Sequence, residues 1–271
     1  MKKTIFISAG EVSGDIHGSY LAKELFKLNH NLNILGFGSV EMSKVGVDIL
    51  NDFVAYSGVG LIENIPALFK ANKSYKIAKK TFSEKKIDLL ILIDNQGFNL
   101  KLADLAKKNN ILVYYYIGPQ EWIWGFKNGK KRIISKIDKL FCIFQKEYLF
   151  YQDYPQKVEY IGHPLLDIIK KIDKNDAKNL INIPNKKIVG LMAGSRKHEI
   201  SSLLPIFVDT AIKLKSDNIE AIIITNDKWQ TYIKTNFDLK GLKLFSGSSC
   251  EYMQACDLII AASGTVTLEA V

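Results

Sequence analysis

The chain has 271 residues, of which 47% are hydrophobic, and a formal net charge of +9. This length and composition are those of a globular protein with one large α/β domain or two smaller ones. No apolar run approaches the roughly 20 residues that a membrane-spanning helix needs. Three cysteines without a Cys-x-x-Cys pair argue against a disulfide framework and are typical of reduced thiols in a cytosolic protein.

The positive charge indicates an anionic partner: nucleic acid, a phosphorylated small molecule or an anionic membrane surface. Lysines supply most of this charge, and they are scattered along predicted helices beside Asn and Ile. That distribution is typical of solvated helix surface, so we expect no nucleic-acid partner.

The first predicted strand, residues 4–9, leads into a glycine-spaced loop, residues 10–18, which carries Glu11 and Asp15. The loop glycines stand at every fourth position, which is not the Gly-x-Gly-x-x-Gly spacing of dinucleotide-binding turns. The second strand, residues 33–35, ends without the acidic residue that would bind a ribose. We therefore expect no nicotinamide or flavin, and no other cofactor.

Residues 56–77 combine glycines, bulky apolar residues and a lysine-rich predicted helix. One interpretation is an amphipathic segment that docks on a membrane interface, with lysines beside its apolar part. The other is a core helix after a loop, with its lysines in water, and the pattern alone slightly favours it. The membrane interpretation assigns the patch to Leu61, Ile62, Ile65, Leu68, Phe69, Lys70 and Lys73.

Residues 87–94 form a buried-type strand that ends in Asp94. In open α/β sheets ligands bind beyond the carboxyl ends of the strands, so Asp94 lies where chemistry is expected. The next strand, residues 111–117, leads into an aromatic loop, residues 118–125. This loop either plugs the core or forms a wall for a sugar or acyl chain. His163, held extended by the proline after it, is either structural or a ligand contact.

A polar stretch, residues 170–187, predicts a linker, and a second α/β unit begins at residue 188. A short strand, the turn Gly194-Ser195-Arg196 and a helix start follow there. The first N–H groups of a helix lack partners within it, and Arg adds a phosphate donor, so this turn predicts an anion site. The alternative is an ordinary strand-to-helix turn with a solvated Arg.

The last ten residues repeat the pattern of strand end, small-residue turn and helix start. Thr265 would cap this helix or donate to a phosphate, and Glu269 in its first turn would accept ribose hydroxyls. We predict domains at residues 1–168 and 169–271, and we expect the second to be incomplete, because a doubly wound domain normally has more strands.

Six segments occur in the order found in one enzyme family. They are residues 8–15, 93–94 with 98–99, 118–124, 161–164, 194–196 with 199–200, and 262–265 with 268–269. Together they make the chain resemble lipid-A-disaccharide synthase, a bacterial glycosyltransferase of lipid A assembly. The chain departs from the family's pattern at Gln96-Gly97, where Pro-Asp is usual, and at Ala193, where proline is common.

The resemblance implies a GT-B architecture: α/β, with two Rossmann-like doubly wound domains facing a cleft. It implies transfer of a sugar from UDP-2,3-diacylglucosamine to 2,3-diacylglucosamine 1-phosphate, which yields a β-1,6 disaccharide 1-phosphate and UDP. It also implies a peripheral protein on the cytoplasmic face of the inner membrane, in contact with anionic lipids. The sequence predicts no oligomeric state.

Such a transfer needs a base for the acceptor 6-hydroxyl and positive charge for the departing UDP. We assign the base to Asp94, with Glu11 and Asp15 as competitors. No Asp-x-Asp motif is present, so no metal is expected. The donor site is assigned to Gly194, Ser195, Arg196, Ser263, Gly264, Thr265 and Glu269, and the acceptor and acyl wall to Gln120, Trp122, Trp124 and His163.

Two alternatives to this function stay open. One is a UDP-sugar 2-epimerase of similar architecture, although that chemistry should not need an amphipathic segment or an aromatic loop. The other is a truncated, non-catalytic chain that binds nucleotide or membrane without turnover.

Overall fold

A computed structural model describes residues 2–52, 64–124, 127–214, 218–247, 249–264 and 266–269. Within these ranges, residues 64–70, 124, 127, 128, 268 and 269 are described by their backbone alone. The chain divides into two compact units, Met1–Pro164 and Leu165–Val271, called here the first and the second unit. The boundary lies before the predicted one at residue 168, because the short helix Leu165–Ile168 groups with the second unit.

The first unit is a seven-stranded parallel sheet with the strand order β3-β2-β1-β4-β5-β6-β7. Its strands are β1 (Thr4–Ala9), β2 (Asn33–Gly38), β3 (Asp48–Asp52), β4 (Leu89–Ile93), β5 (Leu112–Tyr116), β6 (Lys139–Cys142) and β7 (Val158–Tyr160). The described helices are α1 (Val12–Leu28), α2 (Val40–Lys44), α3 (Asn64–Glu84), α4 (Gln96–Lys108), α5 (Glu121–Trp124), α6 (Lys127–Ile134) and α7 (Gln145–Phe150).

Helices cover both faces of this sheet, which is why its central strand β4 is apolar throughout. Residues of α3, α4 and α6 pack with one face around Phe6, Leu90 and Leu92. Residues of α1 and α2 pack with the other face around Ile7 and Ile93. All carboxyl ends of the strands therefore lie along one edge, where the loops after β1, β4 and β5 meet.

The second unit has a four-stranded parallel sheet with the order β10-β9-β8-β11. Its strands are β8 (Lys187–Met192), β9 (Ile219–Thr225), β10 (Lys243–Ser246) and β11 (Leu258–Ala261). Its described helices are α8 (Leu165–Ile168), α9 (Lys174–Leu180), α10 (Lys197–Leu214), α11 (Asp227–Asn236), α12 (Ser249–Gln254) and α13 (Val266–Glu269). Helix α9 lies within the predicted linker, and its Ala177 is part of the core.

One local prediction is wrong: residues 12–18 are the first two turns of α1, not a loop. The glycines serve close packing instead. A Cβ at Gly18 would lie 2.7 Å from Sδ of Met42 on α2, and one at Gly14 would lie 3.4 Å from Cβ of Ala9. The helix therefore sits close to the sheet, and Asp15 belongs to its first turn.

Candidate active site

The loops after β4 and β5 hold three residues in left-handed backbone conformation. Asp94 and Asn95 have φ values of 51° and 41°, and Ile117 has a φ of 64°. The Asp94 N–H donates to the Ile117 carbonyl at 3.1 Å, so the two loops support each other. A β-branched residue at positive φ is a genuine outlier, and each such residue costs about 1–3 kcal/mol. Strained residues of this kind cluster at functional sites.

Asn99 and Tyr115 fix the carbonyl of Asp94. The Asn99 Nδ2 donates to the Asp94 carbonyl at 2.8 Å and to that of Ile93 at 3.0 Å. The Ser8 hydroxyl donates to Asn99 Oδ1 at 2.7 Å, which orients the amide. The Tyr115 hydroxyl donates to the same Asp94 carbonyl at 2.6 Å. Because Ser8, Asn99 and Tyr115 are all fully buried, they hold the Asp94 turn rigidly.

The Asp94 carboxyl is partly removed from water. Burial raises its pKa above the ordinary value, and the Asn95 N–H opposes this by a hydrogen bond to the charged form. A carboxylate with a raised pKa is a stronger base than one in water. The geometry thus provides a positioned group that could accept a proton.

The two competing acids, Glu11 and Asp15, are placed differently. Glu11 is the half-buried residue before the first turn of α1, with its carbonyl accepting from the Asp15 N–H. Asp15 is 3% exposed, and its carboxylate accepts from the N–H groups of Ser39, Glu41 and Met42 at the start of α2. These contacts favour a structural role for Asp15, which leaves Glu11 as the better competitor of Asp94.

Four aromatic rings connect α1 with the loop after β5. His17 lies 6.3 Å from His163, His163 lies 5.2 Å from Phe144, and Phe144 lies 5.6 Å from Trp122, each between ring centroids. The structure therefore brings Trp122 and His163 to one ring, that of Phe144. Gln120 is exposed, and the side chain of Trp124 lies outside the described part.

Both histidines of this row are held in the neutral form. Burial and then the neighbouring His163 lower the pKa of His17 to about 4, and burial lowers the pKa of His163. Among the described residues, the buried Nδ1 of His17 has no hydrogen-bond partner. Neutral rings suit a wall for apolar groups better than a cationic site would.

Glu121 joins the aromatic loop to α4. It is 8% exposed, accepts a short hydrogen bond from Gln96 Nε2, and accepts from the Arg132 guanidinium at 3.2 Å. A Cβ at Gly129 would lie 2.2 Å from its Oε2, so only glycine fits beside it. Gln96, which departs from the family's pattern, therefore has a structural partner in this chain.

In the second unit, the carboxylate of Glu199, a residue of the first turn of α10, bonds the turn between β8 and α10. Its Oε2 accepts from the Ser195 and Arg196 N–H groups at 2.9 and 3.1 Å, and its Oε1 accepts from the Arg196 guanidinium at 2.9 Å. Burial alone would raise the Glu199 pKa, but Arg196 and the two N–H groups lower it overall. The Trp229 indole donates to the Ser195 carbonyl at 2.8 Å.

This arrangement changes the predicted anion site. Two backbone donors that were expected to face a phosphate are already bonded to Glu199. The guanidinium of Arg196 also bonds Glu199 through Nη1, so its other N–H groups and the dipole of the 18-residue helix α10 remain for an anion. Gly194 has a φ of +108°, and a Cβ there would lie 2.4 Å from Glu199 Oε2. Glycine is therefore required for the carboxylate to reach the turn.

The turn after β11 is described only in part. Ser263 and Gly264 are exposed, and the Thr267 hydroxyl donates to the Gly264 carbonyl at 2.7 Å. Thr265 and the side chain of Glu269 lie outside the described residues.

The proposed membrane patch is also described only in part. Leu61 and Ile62 lie outside the described residues, and Ile65, Leu68, Phe69 and Lys70 are described only as backbone of α3.

Neither a metal cluster nor a spanning helix is found in the described part of the chain. No group of three or more His, Cys, Asp or Glu side chains there is placed to hold a metal ion. No helix there is both long and apolar enough to cross a membrane.

Several residues of these sites were not predicted from the sequence. Tyr115 and His17 were not distinguished from ordinary strand and helix residues, and Asn99 was noticed only as part of a motif. Trp229 lies 34 residues from its partner Ser195, and the sequence carries no signal for that contact. Asn99 could have been found as a polar residue in an otherwise apolar stretch at a strand end.

Comparison with known proteins identifies the family. A family model described as lipid-A-disaccharide synthetase matches residues 5–271. The chain belongs to this family. The lipid-A-disaccharide synthase 1 of Legionella pneumophila (strain Paris) is 38% identical over 280 residues, which cover 98% of this chain and 71% of that protein. The synthase of Geobacter metallireducens is 34% identical over 275 residues, with 98% and 71% covered.

Solved structures of low sequence identity share the fold. A putative UDP-N-acetylglucosamine 2-epimerase from Listeria monocytogenes has a TM-score of 0.65 at 10% identity, covering 100% of this chain and 77% of that one. Anabaena HepE, solved with UDP and glucose, has a TM-score of 0.54 at 15% identity, with 100% and 78% covered. These matches confirm the predicted α/β, Rossmann-like fold of GT-B type.

Family membership confirms the predicted activity class. The chain is a member of a hexosyltransferase family that forms the lipid A disaccharide, and its substrate classes are a UDP-sugar and a lipid-linked sugar phosphate. The epimerase alternative rests on fold alone, because the structures named as UDP-N-acetylglucosamine 2-epimerases share only 10–15% of residues with this chain.

Proposed function

We propose that Asp94 is the base that takes the proton of the acceptor 6-hydroxyl as this oxygen attacks the anomeric carbon of the donor sugar. The observation that carries this assignment is the Asp94 turn, which two buried side chains hold in a strained conformation. A positioned carboxylate with a raised pKa is suited to accept a proton in the transition state.

We further propose UDP-2,3-diacylglucosamine as the donor and 2,3-diacylglucosamine 1-phosphate as the acceptor, with a β-1,6 disaccharide 1-phosphate and UDP as products. The names of the family's members support this choice. UDP is also the ligand named for the Anabaena HepE and Staphylococcus aureus MnaA structures, which share the fold. Arg196 would meet the diphosphate charge, with Ser195 shaping the turn and Glu199 orienting the guanidinium.

The remaining donor and acceptor contacts are proposed from the turn after β11 and from the aromatic rings beside the loop after β5. Ser263, Gly264, Thr265 and Glu269 follow β11, and a helix start after such a turn favours a nucleotide phosphate or ribose. Trp122, Phe144 and His163 would form the wall for the sugar or its acyl chains, because they are adjacent, partly exposed and uncharged.

We also propose that the enzyme works at the cytoplasmic face of the inner membrane, since both substrates carry acyl chains. Lys73, Lys76, Lys79 and Lys80 of α3 are exposed and would face anionic headgroups. Leu61, Ile62, Ile65, Leu68 and Phe69 would supply the apolar insertion. If docking matters, turnover of substrates carried in anionic vesicles should exceed turnover in zwitterionic ones.

The test of the proposed chemistry is the Asp94→Asn variant in an assay of UDP release. Asn keeps the shape of the side chain and removes its basicity, so we expect turnover to fall by roughly 10² or more. UDP affinity, measured by calorimetry, should stay unchanged. Asp48→Asn is a matched control, because Asp48 is an exposed carboxylate at the amino end of β3.

Near-normal turnover of Asp94→Asn would remove Asp94 from the role of base. Glu11→Gln would then be the next variant, because the Asp15 carboxylate is already bonded to three N–H groups. A loss of UDP affinity in Asp94→Asn would instead indicate that the substitution disturbs more than proton transfer.

A further inference from the structure

A groove of about 390 Å³ runs between α4 and α6 on the first unit. On α4 its lining residues fall at spacings of one, four, five and eight from the first, which is one face of a helix. On the other side it is lined by α6 and the turn after it. The lining residues are Gln96, Gly97, Leu100, Lys101, Asp104, Arg132 and Lys136.

The groove carries more positive than negative charge. Three of its side chains are basic and one is acidic. Lys136 pairs with Asp104, and Arg132 pairs with the buried Glu121 behind it. Within the part of the chain that the structure describes, Lys101 forms no such ion pair and is exposed. The groove thus has an uncompensated cation and a guanidinium that is 56% exposed.

The groove adjoins the residues assigned above to the acceptor. Gln96 lies at the end of the groove formed by the first turn of α4. It is two positions after Asp94 and donates to Glu121, the residue before Trp122. The first turn of the 13-residue helix α4 lines the same end of the groove, and the dipole of this helix favours negative charge there. An anionic group in the groove would therefore lie beside the sugar whose hydroxyl Asp94 deprotonates.

We propose that this groove binds the phosphate monoester of the acceptor, with Lys101 and Arg132 as its main contacts and Lys136 as a further cation. The proposal rests on the proposed function, because it places one end of the acceptor at Asp94. Arg132 presents a planar fork to the phosphate oxygens, and Lys101 acts as a point charge. These residues would make the enzyme select a phosphorylated acceptor over the same lipid without phosphate.

Lys101→Gln in the full-length enzyme tests this selection. We expect KM for the phosphorylated acceptor to rise at least about tenfold, the scale of one lost charge-assisted contact, with kcat little changed. For 2,3-diacylglucosamine without phosphate, kcat/KM should be the same in the variant and the parent. Lys108→Gln is the matched control, since Lys108 is exposed on the same helix about 10 Å further along, outside the groove.

Binding of glucosamine 1-phosphate, a soluble probe without acyl chains, gives a second readout that does not depend on turnover. Calorimetry should show weaker binding to Lys101→Gln than to the parent and to Lys108→Gln. If the parent shows no acceptor-dependent UDP release, the proposed function fails, and this binding experiment still decides on the groove.

Three results would overturn the phosphate assignment. The first is an unchanged KM and unchanged probe binding in Lys101→Gln. The second is an equal effect in Lys108→Gln, which would indicate general electrostatic attraction. The third is reduced sedimentation of Lys101→Gln with anionic vesicles while probe binding is intact, which would indicate that the groove meets lipid headgroups instead.

Discussion

At the scale of single residues, Asp94 depends on groups that never touch substrate. Tyr115 supplies one of the two hydrogen bonds to its carbonyl, at 2.6 Å, from a fully buried position. Tyr115→Phe removes this donor and keeps the ring, so the fold should lose about 1 kcal/mol of stability. We expect kcat to fall about tenfold with UDP affinity unchanged, because the carboxylate loses its fixed orientation.

A change in the pH profile separates positioning from general destabilisation. When the turn relaxes toward water, burial raises the Asp94 pKa less, so the acid limb of kcat/KM should move to lower pH. Tyr114→Phe is the control, because Tyr114 is the preceding residue of β5 and its ring packs against Phe141. A fall in kcat with no movement of the acid limb would contradict a positioning role.

At the scale of elements, the β8–α10 turn is built before any ligand arrives. Glu199 holds its N–H groups, and Trp229 holds its Ser195 carbonyl. Since these backbone donors are occupied, Arg196 should carry most of the interaction with a diphosphate. We expect Arg196→Ala to weaken UDP binding about 10- to 100-fold, and Arg196→Lys to restore part of it, because an ammonium lacks the planar fork.

Calorimetry with UDP on the full-length protein measures these affinities. Lys197→Ala serves as the control, since it removes the adjacent cation, which lies 5.2 Å from the centre of the Tyr232 ring. Equal loss in Lys197→Ala and Arg196→Ala would mean that net charge near α10, rather than the guanidinium, determines affinity.

Strands and helices could be predicted from the sequence where one physical property, such as the hydrophobic pattern, dominates. The apolar runs that became β4 and β8 are buried on both faces, so hydrophobic pattern alone indicated them and placed Asp94 at a strand end. The start of α1 was missed because Gly14 and Gly18 weaken helix propensity, while their packing against Ala9 and Met42 is visible only in three dimensions.

The detailed geometry of the candidate site could not be predicted for the same reason, because it depends on contacts that form only in the folded chain. Residue type and spacing predicted that Arg196 would lie at a helix start, but they do not tell which atoms the Glu199 carboxylate reaches. Positive φ at Asp94 and Ile117 goes with the contact between their two loops, and Ile117, as a β-branched residue, disfavours that conformation by itself.

At the scale of the whole molecule, stability should depend on pH through two buried groups of the first unit. Burial raises the pKa of Glu147 from 4.5 to about 7, although the N–H groups of Ile143 and Phe144 oppose it. Burial lowers the pKa of His17 from 6.5 to about 4. In the folded state both groups are therefore held neutral at pH values where the unfolded chain would charge them.

Glu147 and His17 change the free energy of unfolding with pH in opposite directions. Between pH 4.5 and about 7 the folded state retains the Glu147 proton that the unfolded chain releases, so the free energy of unfolding falls as pH rises. Between about pH 4 and 6.5 the unfolded chain binds a proton at His17 that the folded state excludes, so the free energy of unfolding rises with pH.

Glu147→Gln isolates the first contribution. A pKa raised from 4.5 to about 7 corresponds to about 3 kcal/mol, at about 1.4 kcal/mol per pH unit. Relative to the parent, the variant should therefore gain about 3 kcal/mol of stability between pH 4.5 and 8. Hydrogen exchange of peptides from the first unit measures this unit alone, and the difference from the parent cancels all other titrating groups. His17→Gln should show the opposite trend, gaining relative to the parent as pH falls from 6.5 to 4. A variant-minus-parent difference for Glu147→Gln that stays constant with pH would show that Glu147 is ionised in the folded protein.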